Sequence, residues 1–240
     1  MASNQEKSWE QLWLSYGSKA DAGNGRFFEA APVLEGFDAE NRVVKSALCE
    51  LSRGVSGMLG SKAFACDKTA DASSDAAKAA LVFKKAAAGE TLENGKALAA
   101  QGYSICEKDG HLVITAADEN GLLYGVFHLL RVISCEKSLA GICETCNPDN
   151  PLRMYNHWDN MDGSIERGYS GKSFFFENDD IVINERTKDY ARLMASIGIN
   201  GVVINNVNVK QAATWLITDR FFDKVRSSRK SLRIMASSFI

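Results

Sequence analysis

The sequence predicts an α/β protein in two parts: an N-terminal α/β layer domain over residues 1–148, then the first two βα units of an incomplete (β/α)8 TIM barrel over residues 149–225. Three observations predict it. An Asp-Gly turn between two β-rich runs, 102–107 and 111–115, precedes a helical pattern from Asn120 to Ile133, the ingredients of a sheet with a helix laid across it. After Pro148 the pattern alternates strand, helix, strand, helix, the order that builds a parallel sheet or barrel. In both of those strands the polar residues gather at the C-terminal end, where barrel active sites are built.

Taken in order, Trp9, Leu12, Trp13 and Tyr16 lie at i, i+3, i+4 and i+7 and predict an amphipathic start that docks on the core, or else an aromatic sugar platform. Val43, Val44, Ala47, Leu48, Leu51, Val55, Met58 and Leu59 keep helical spacing and predict one long helix over 39–59, with a break near Gly54. Residues 67–80, rich in Ala, Asp, Ser and Lys, read as a polar loop or exposed helix, and 80–83 as a strand. In the helix after the hairpin, Leu123, Phe127, Leu130 and Ile133 share one face, so His128 is a hydrogen-bonded boundary residue rather than a ligand. Beyond Pro148, strand 153–156, helix 187–197 ended by Gly198, strand 201–204 and a helix over about 210–225 complete the chain's regular pattern.

Composition narrows the function. A formal charge of −2 gives no electrostatic reason to expect a nucleic acid or an anionic membrane as partner. No apolar run of about 18 residues and no basic-flanked apolar leader occur, which leads to the expectation of a cytoplasmic protein. Six cysteines, Cys49, Cys66, Cys106, Cys135, Cys143 and Cys146, are expected as free thiols. Cys143-Glu-Thr-Cys146 has zinc or redox spacing, but no second CxxC or His pair follows, so no metal and no cofactor are expected.

One stretch, Arg153-Met-Tyr-Asn-His-Trp-Asp-Asn-Met-Asp-Gly-Ser-Ile-Glu-Arg-Gly-Tyr-Ser-Gly171, is denser in chemistry than any other. It has neither helical period nor clean alternation, and reads as a short strand running into a shaped loop. Its paired carboxylates, Asp162 and Glu166, sit beside Arg167 and read as an ion-pair network holding that loop, not as a catalytic acid and base.

The same stretch resembles the signature of the α-glucuronidases of glycoside hydrolase family 67. Gly-Ile-Asn-Gly-Val-Val-Ile-Asn-Asn-Val-Asn-Val at 198–209, Ile217-Thr-Asp-Arg-Phe, and Gly121-Leu-Leu-Tyr-Gly-Val-Phe-His-Leu-Leu-Arg support the resemblance, which is close over about residues 100–225. It implies a hexosaminidase-like N-terminal α/β domain, a (β/α)8 catalytic barrel and a helical C-terminal region. It further implies inverting removal of α-1,2-linked glucuronic acid, or its 4-O-methyl ether, from xylo-oligosaccharides, and a homodimer for the full-length form. The family's catalytic carboxylates are expected beyond residue 240. By the same resemblance Trp158 lies against the glucuronic acid and Val207 near the 4-O-methyl group. Asp159, Asn160, Glu166, Arg167, Asn205 and Asn206 either bind hydroxyls and the uronate or brace the loop. The other reading of these residues is a carbohydrate-binding or interaction module without catalysis.

Residues 226–240 depart from the family pattern. A codon choice for Arg229 to Ile240 exists that, read two positions later, gives Glu-Lys-Leu-Ala-Asp-Tyr-Gly-Ile-Lys-Leu-Tyr, which resembles the family's continuation. The expectation is a frameshift near residues 226–229 and a truncated barrel.

Overall fold

The computed structural model of the protein describes residues 9–60, 80–92, 95–161, 172–205, 214–216 and 218–232. The chain divides into two compact units, Met1–Pro151 and Leu152–Ile240.

The first unit opens on a 3-10 helix, Trp9–Ser15, interrupted at Leu12, where φ is 45°. The expected docking of this amphipathic start is met in part: Leu14 and Tyr16 are buried, whereas Leu12 and Trp13 stay more than half exposed at 53% and 55%. The Tyr16 hydroxyl donates to the buried Glu50 Oε1 at 2.6 Å, which fixes this segment on the first long helix.

Strand β1 (Val33–Glu35) leads into helix α1 (Arg42–Leu59), which the Asn41 side chain caps by accepting from Val43 N and Val44 N. Gly60, with φ 65°, ends it. The break expected near Gly54 is absent, and the glycine has a different role. A Cβ there would lie 2.5 Å from Leu130 Cδ2, so Gly54 lets the two long helices of this unit approach closely.

Strand β2 (Leu81–Lys85) is followed by the hairpin of β3 (Tyr103–Lys108) and β4 (His111–Ala116), turned by Asp109 and Gly110, both at positive φ as such a turn requires. Helix α2 (Glu119–Ser134) starts at Asp118, whose Oδ1 accepts from Gly121 N at 2.9 Å while its Oδ2 accepts from Gln101 N at 2.7 Å. Strand β5 (Cys143–Cys146) closes the sheet, in the order β1-β2-β4-β3-β5. β1, β2 and β4 run parallel, and β3 is antiparallel to both β4 and β5. Leu34, Phe83, Ile114 and Ile105 lie in one row across β1, β2, β4 and β3 and are all buried. α2 packs on that face, since a Cβ at Gly125 would meet Ile114 Cγ2 at 2.9 Å. Burying each such side chain is worth about 1.5–3 kcal/mol.

A close backbone approach lies at the start of α2, where a Cβ on Gly121 would lie 2.4 Å from the Gly102 carbonyl oxygen. That oxygen also accepts from Ala117 N at 3.0 Å, so it cannot retreat freely. Gly121→Ala is therefore expected to cost the first unit about 2–3 kcal/mol, read from its denaturant midpoint. An unchanged midpoint would show that the helix start yields without penalty.

The expectation of six free thiols is corrected. Cys106 and Cys143 stand opposite each other on β3 and β5, with Cα atoms 4.0 Å apart, and form a disulfide. Cys135 and Cys146 are free thiols among the described residues, and Cys66 lies outside them. Cys143 and Cys146 are three residues apart on one strand, so their side chains leave opposite faces of the sheet. Zinc or redox pairing between them is ruled out by that alternation, and no cluster able to hold a metal occurs among the described residues.

In the second unit, β6 (Met154–Trp158) pairs in parallel with β9 (Gly201–Asn205). Between them come a small hairpin, β7 (Phe176–Glu177) with β8 (Asp180–Ile181), and helix α3 (Glu185–Ser196). α3 opens with a reciprocal cap: Asn184 Oδ1 accepts from Thr187 N, and Thr187 Oγ1 accepts from Asn184 N. The two strands are stapled at their beginnings, where Arg153 N donates to Asn200 Oδ1 at 2.8 Å and Asn200 N returns a bond to Arg153 O at 2.9 Å. The last helix, α4, runs Asp219–Leu232, later than the expected 210–225, and continues through residues 226–229. No described helix is long and apolar enough to cross a membrane.

Candidate functional site

Alternation along β6 sorts the dense stretch into two faces. β6 reaches Trp158 rather than stopping at Asn156, so Met154, Asn156 and Trp158 lie on one face and Tyr155 and His157 on the other. The parallel register sets Asn156 beside Val203 and Trp158 beside Asn205. Trp158 is 51% exposed and Asn205 is exposed, so an indole face and a carboxamide stand side by side at the C-terminal ends of both strands. An indole offers an apolar surface to sugar C–H groups while an amide can both donate to and accept from hydroxyls. Asn156, exposed on the same face, was not among the sequence candidates; counting back two residues from Trp158 along a strand would have found it.

The opposite face is packed around His157, while Tyr155 on it stays 47% exposed. His157 Nδ1 lies 3.0 Å from the Tyr190 hydroxyl of α3, and its ring meets Phe174, Phe175 and Tyr190 with centroids 5.5, 5.0 and 5.4 Å away. Arg186 stacks its guanidinium over Phe174 at 4.1 Å. Farther along this side a cavity of about 270 Å³ is lined mainly by apolar side chains, among them Phe175, Phe176, Val202 and Ile204, with Ser228 and Arg229 as its polar members. The sugar-binding candidate is the Trp158 face, where an exposed indole and an exposed carboxamide stand together at the C-terminal strand ends.

Asp159 and Asn160 are buried at 6% and 2% exposure. One carboxylate oxygen of Asp159, Oδ2, accepts from Ser173 Oγ at 2.8 Å, Phe174 N at 3.0 Å and Phe175 N at 2.7 Å. Its backbone N–H donates to Asn205 O at 3.0 Å, extending the ladder one step past the strands. Asp159 thus ties together the ends of β6 and β9 and the loop that enters the aromatic cluster. Of the other sequence candidates, Glu166, Arg167, Asn206 and Val207 lie outside the described residues, as does the Asp162–Glu166–Arg167 network.

Burial holds the His157 pKa below its ordinary value of 6.5, with Arg186 acting in the same direction and Asp159 opposing. A histidine whose folded pKa is depressed binds fewer protons folded than unfolded, so stability rises with pH across that window. The second unit should lose stability as pH falls through about 6.5 toward the lower folded value and then level off. His157→Gln should flatten this dependence, measured as denaturant midpoints between about pH 5 and 8. A slope that survives the substitution would contradict the assignment. Burial raises the Tyr190 phenol, so it stays protonated and able to donate to His157.

The fold has solved counterparts. The chain is similar to a family GH115 4-O-methyl-α-glucuronidase with specificity for decorated arabinogalactans, at TM-score 0.55 and 16% identity over 87% of this chain and 28% of that one. It is likewise similar to a GH138 enzyme targeting pectin rhamnogalacturonan II, at TM-score 0.55 and 15% identity over 86% and 29%. At such identities the likeness shows the fold class alone: a mixed α/β architecture that these glycosidases share.

Sequence similarity is more particular. Residues 12–129 match the glycosyl hydrolase family 67 N-terminus and residues 132–236 the glycosyl hydrolase family 67 middle domain. The chain is 36% identical over 216 residues to an alpha-glucuronidase of Hypocrea jecorina, covering 82% of this chain and 24% of that protein. It is 35% identical over 191 residues to a probable alpha-glucuronidase A of Aspergillus terreus, covering 77% and 22%. A probable alpha-glucuronidase A of Aspergillus clavatus is 45% identical over 109 residues, 45% of this chain and 13% of that protein. The chain belongs to glycosyl hydrolase family 67. It spans less than a quarter of the length of these relatives.

Proposed function

We propose that the chain supplies the N-terminal domain and the first two βα units of the (β/α)8 barrel of an α-glucuronidase. The substrate is a xylo-oligosaccharide bearing α-1,2-linked glucuronic acid or its 4-O-methyl ether, hydrolysed with inversion. The observation that carries this reading is the placement of Trp158 beside Asn205 on one face, at the C-terminal ends of two parallel strands, in a chain of family 67. In this role Trp158 is the apolar floor under the uronic acid ring, and Asn205 and Asn156 address its hydroxyls.

Inversion requires a carboxylic acid to protonate the leaving oxygen and a carboxylate to activate water on the other face, roughly 6.5–9.5 Å apart. Neither role falls to Asp159, whose Oδ2 is filled by three donors. The acid and base belong to the part of the relatives' length that this chain does not match.

Titration calorimetry on the full chain tests the reading, with a xylo-oligosaccharide carrying one 4-O-methylglucuronic acid compared against the same oligosaccharide without it. Binding only of the decorated sugar, with no hydrolysis, is expected. Equal binding of both would remove the uronate from the account, and absence of binding would contradict the site.

A further inference from the structure

At the edge of the first unit, a cluster of ionisable side chains lies outside the sugar-binding candidate. His128 on α2 is held from both sides: its Nε2 lies 3.3 Å from Glu144 Oε2 on β5, and its Nδ1 lies 3.1 Å from the Tyr103 hydroxyl on β3 and 3.9 Å from Cys146 Sγ. The carboxylate holds the ring's N–H on Nε2 and so leaves the lone pair on Nδ1, toward the phenol and the thiol. A thiol on one imidazole nitrogen and a carboxylate on the other is the arrangement that activates a sulfur nucleophile. Cys146 is partly exposed and sits on the outermost strand of the sheet, which leaves one side of β5 unpaired within it.

We propose that Cys146 is a histidine-activated thiol, a modification site that forms mixed disulfides with small-molecule disulfides. The Cys146 proton passes to His128 Nδ1, and Glu144 balances the imidazolium through Nε2. The Tyr103 O–H, no longer needed at Nδ1, turns to the sulfur. The thiolate attacks one sulfur of the small disulfide; the Cys146 S–S bond forms as the reagent's S–S bond breaks. The departing thiolate takes the proton from the imidazolium, so atoms, electrons and protons balance. Cys143 takes no part, because it faces the other side of β5 and is bonded to Cys106.

The surroundings keep the base in its free form, and Glu144 is the group that favours the imidazolium it must become. Burial, aided by Arg131, keeps the His128 pKa below its ordinary value, with Glu144 opposing, so the ring is a free base at neutral pH. Burial and then the neighbouring Cys146 hold the Tyr103 phenol up, which keeps its proton available for the sulfur. The charged groups facing the ring are Glu144 and Arg131, and Lys137 borders the same cavity of about 460 Å³ that His128 and Glu144 line.

The test treats the full chain with dithiobis(nitrobenzoate), an aromatic disulfide that releases a coloured thiolate, and identifies the modified cysteine by peptide mass. Cys135, exposed at the end of α2, is the internal comparison: it borders the same cavity and its cations, but it is Cys146 whose sulfur lies at His128 Nδ1. Cys146 is expected to react roughly tenfold faster than Cys135 near pH 6.5, with a rate that follows deprotonation of the His128 ring, a pH profile that Cys135 does not share. His128→Gln should remove the advantage and give Cys146 the pH profile of Cys135. Glu144→Gln, at a half-exposed side chain, should lower the Cys146 rate about threefold and serves if the histidine variant fails to fold. Coincident pH profiles for Cys146 and Cys135 in the unaltered chain would overturn the proposal without any variant.

Discussion

Asp159→Ala is expected to destabilise the second unit by about 3–4 kcal/mol, because it strands one hydroxyl and two backbone N–H donors in a buried position. The three donors, from Ser173, Phe174 and Phe175, all converge on Oδ2, so one substitution removes the acceptor of all three. Water admitted by the smaller side chain recovers part of the loss, which is why the figure falls below the sum of three orphaned groups. Asp159→Asn keeps an acceptor of the same shape and should cost about half as much. Native-state hydrogen exchange at the Phe174 and Phe175 amides reads the effect where it arises. Unaltered exchange there in the alanine variant would show that the loop is held by something other than Asp159.

Trp158→Ala should weaken binding of the uronate-bearing oligosaccharide by roughly thirtyfold, the scale of about 2 kcal/mol lost when a central aromatic anchor is truncated. The fold should barely notice, since the indole is half exposed and faces away from the aromatic cluster under α3. The two variants therefore separate scaffold from contact. Asp159→Ala lowers stability and affinity together, whereas Trp158→Ala lowers affinity with the unfolding midpoint unchanged. Calorimetric affinity and denaturant midpoint on the same samples distinguish them, and a stability loss in Trp158→Ala would place the indole in the core.

Periodicity made the larger elements legible. α1, α2 and α3 each run several turns with apolar residues on one side, and the Asp109-Gly110 turn can take few forms other than the hairpin observed. The elements that escaped are short or depend on distant partners. β1 has three residues, β7 and β8 two each, and β5 consists of Cys143, Glu144, Thr145 and Cys146, whose composition carries little strand signal. Missing β5 also misdirected the cysteine reading. Taken as a loop, Cys143 and Cys146 have ligand spacing; as a strand, they point apart, and the disulfide to Cys106 follows from a register that only the docked sheet defines.

The site shows the same division. The exposed indole and amide at the strand ends were legible from the polar cluster that follows each apolar run. The service of Asp159 as a bracket was not, because its partners lie at 173–175, past a loop whose return path no local pattern predicts. Both readings of Asp159 were open from sequence, and its filled oxygen favours the brace.

The central claim is that the Trp158 face is the wall of a uronic acid pocket. Titrating the isotope-labelled chain with the 4-O-methylglucuronic acid-bearing xylo-oligosaccharide, while following the indole N–H resonances of its four tryptophans, tests it most directly. The account predicts that the Trp158 indole shifts and saturates while those of Trp9, Trp13 and Trp215 stay in place. A response at Trp13, the exposed aromatic near the N-terminus, with Trp158 unmoved would contradict it.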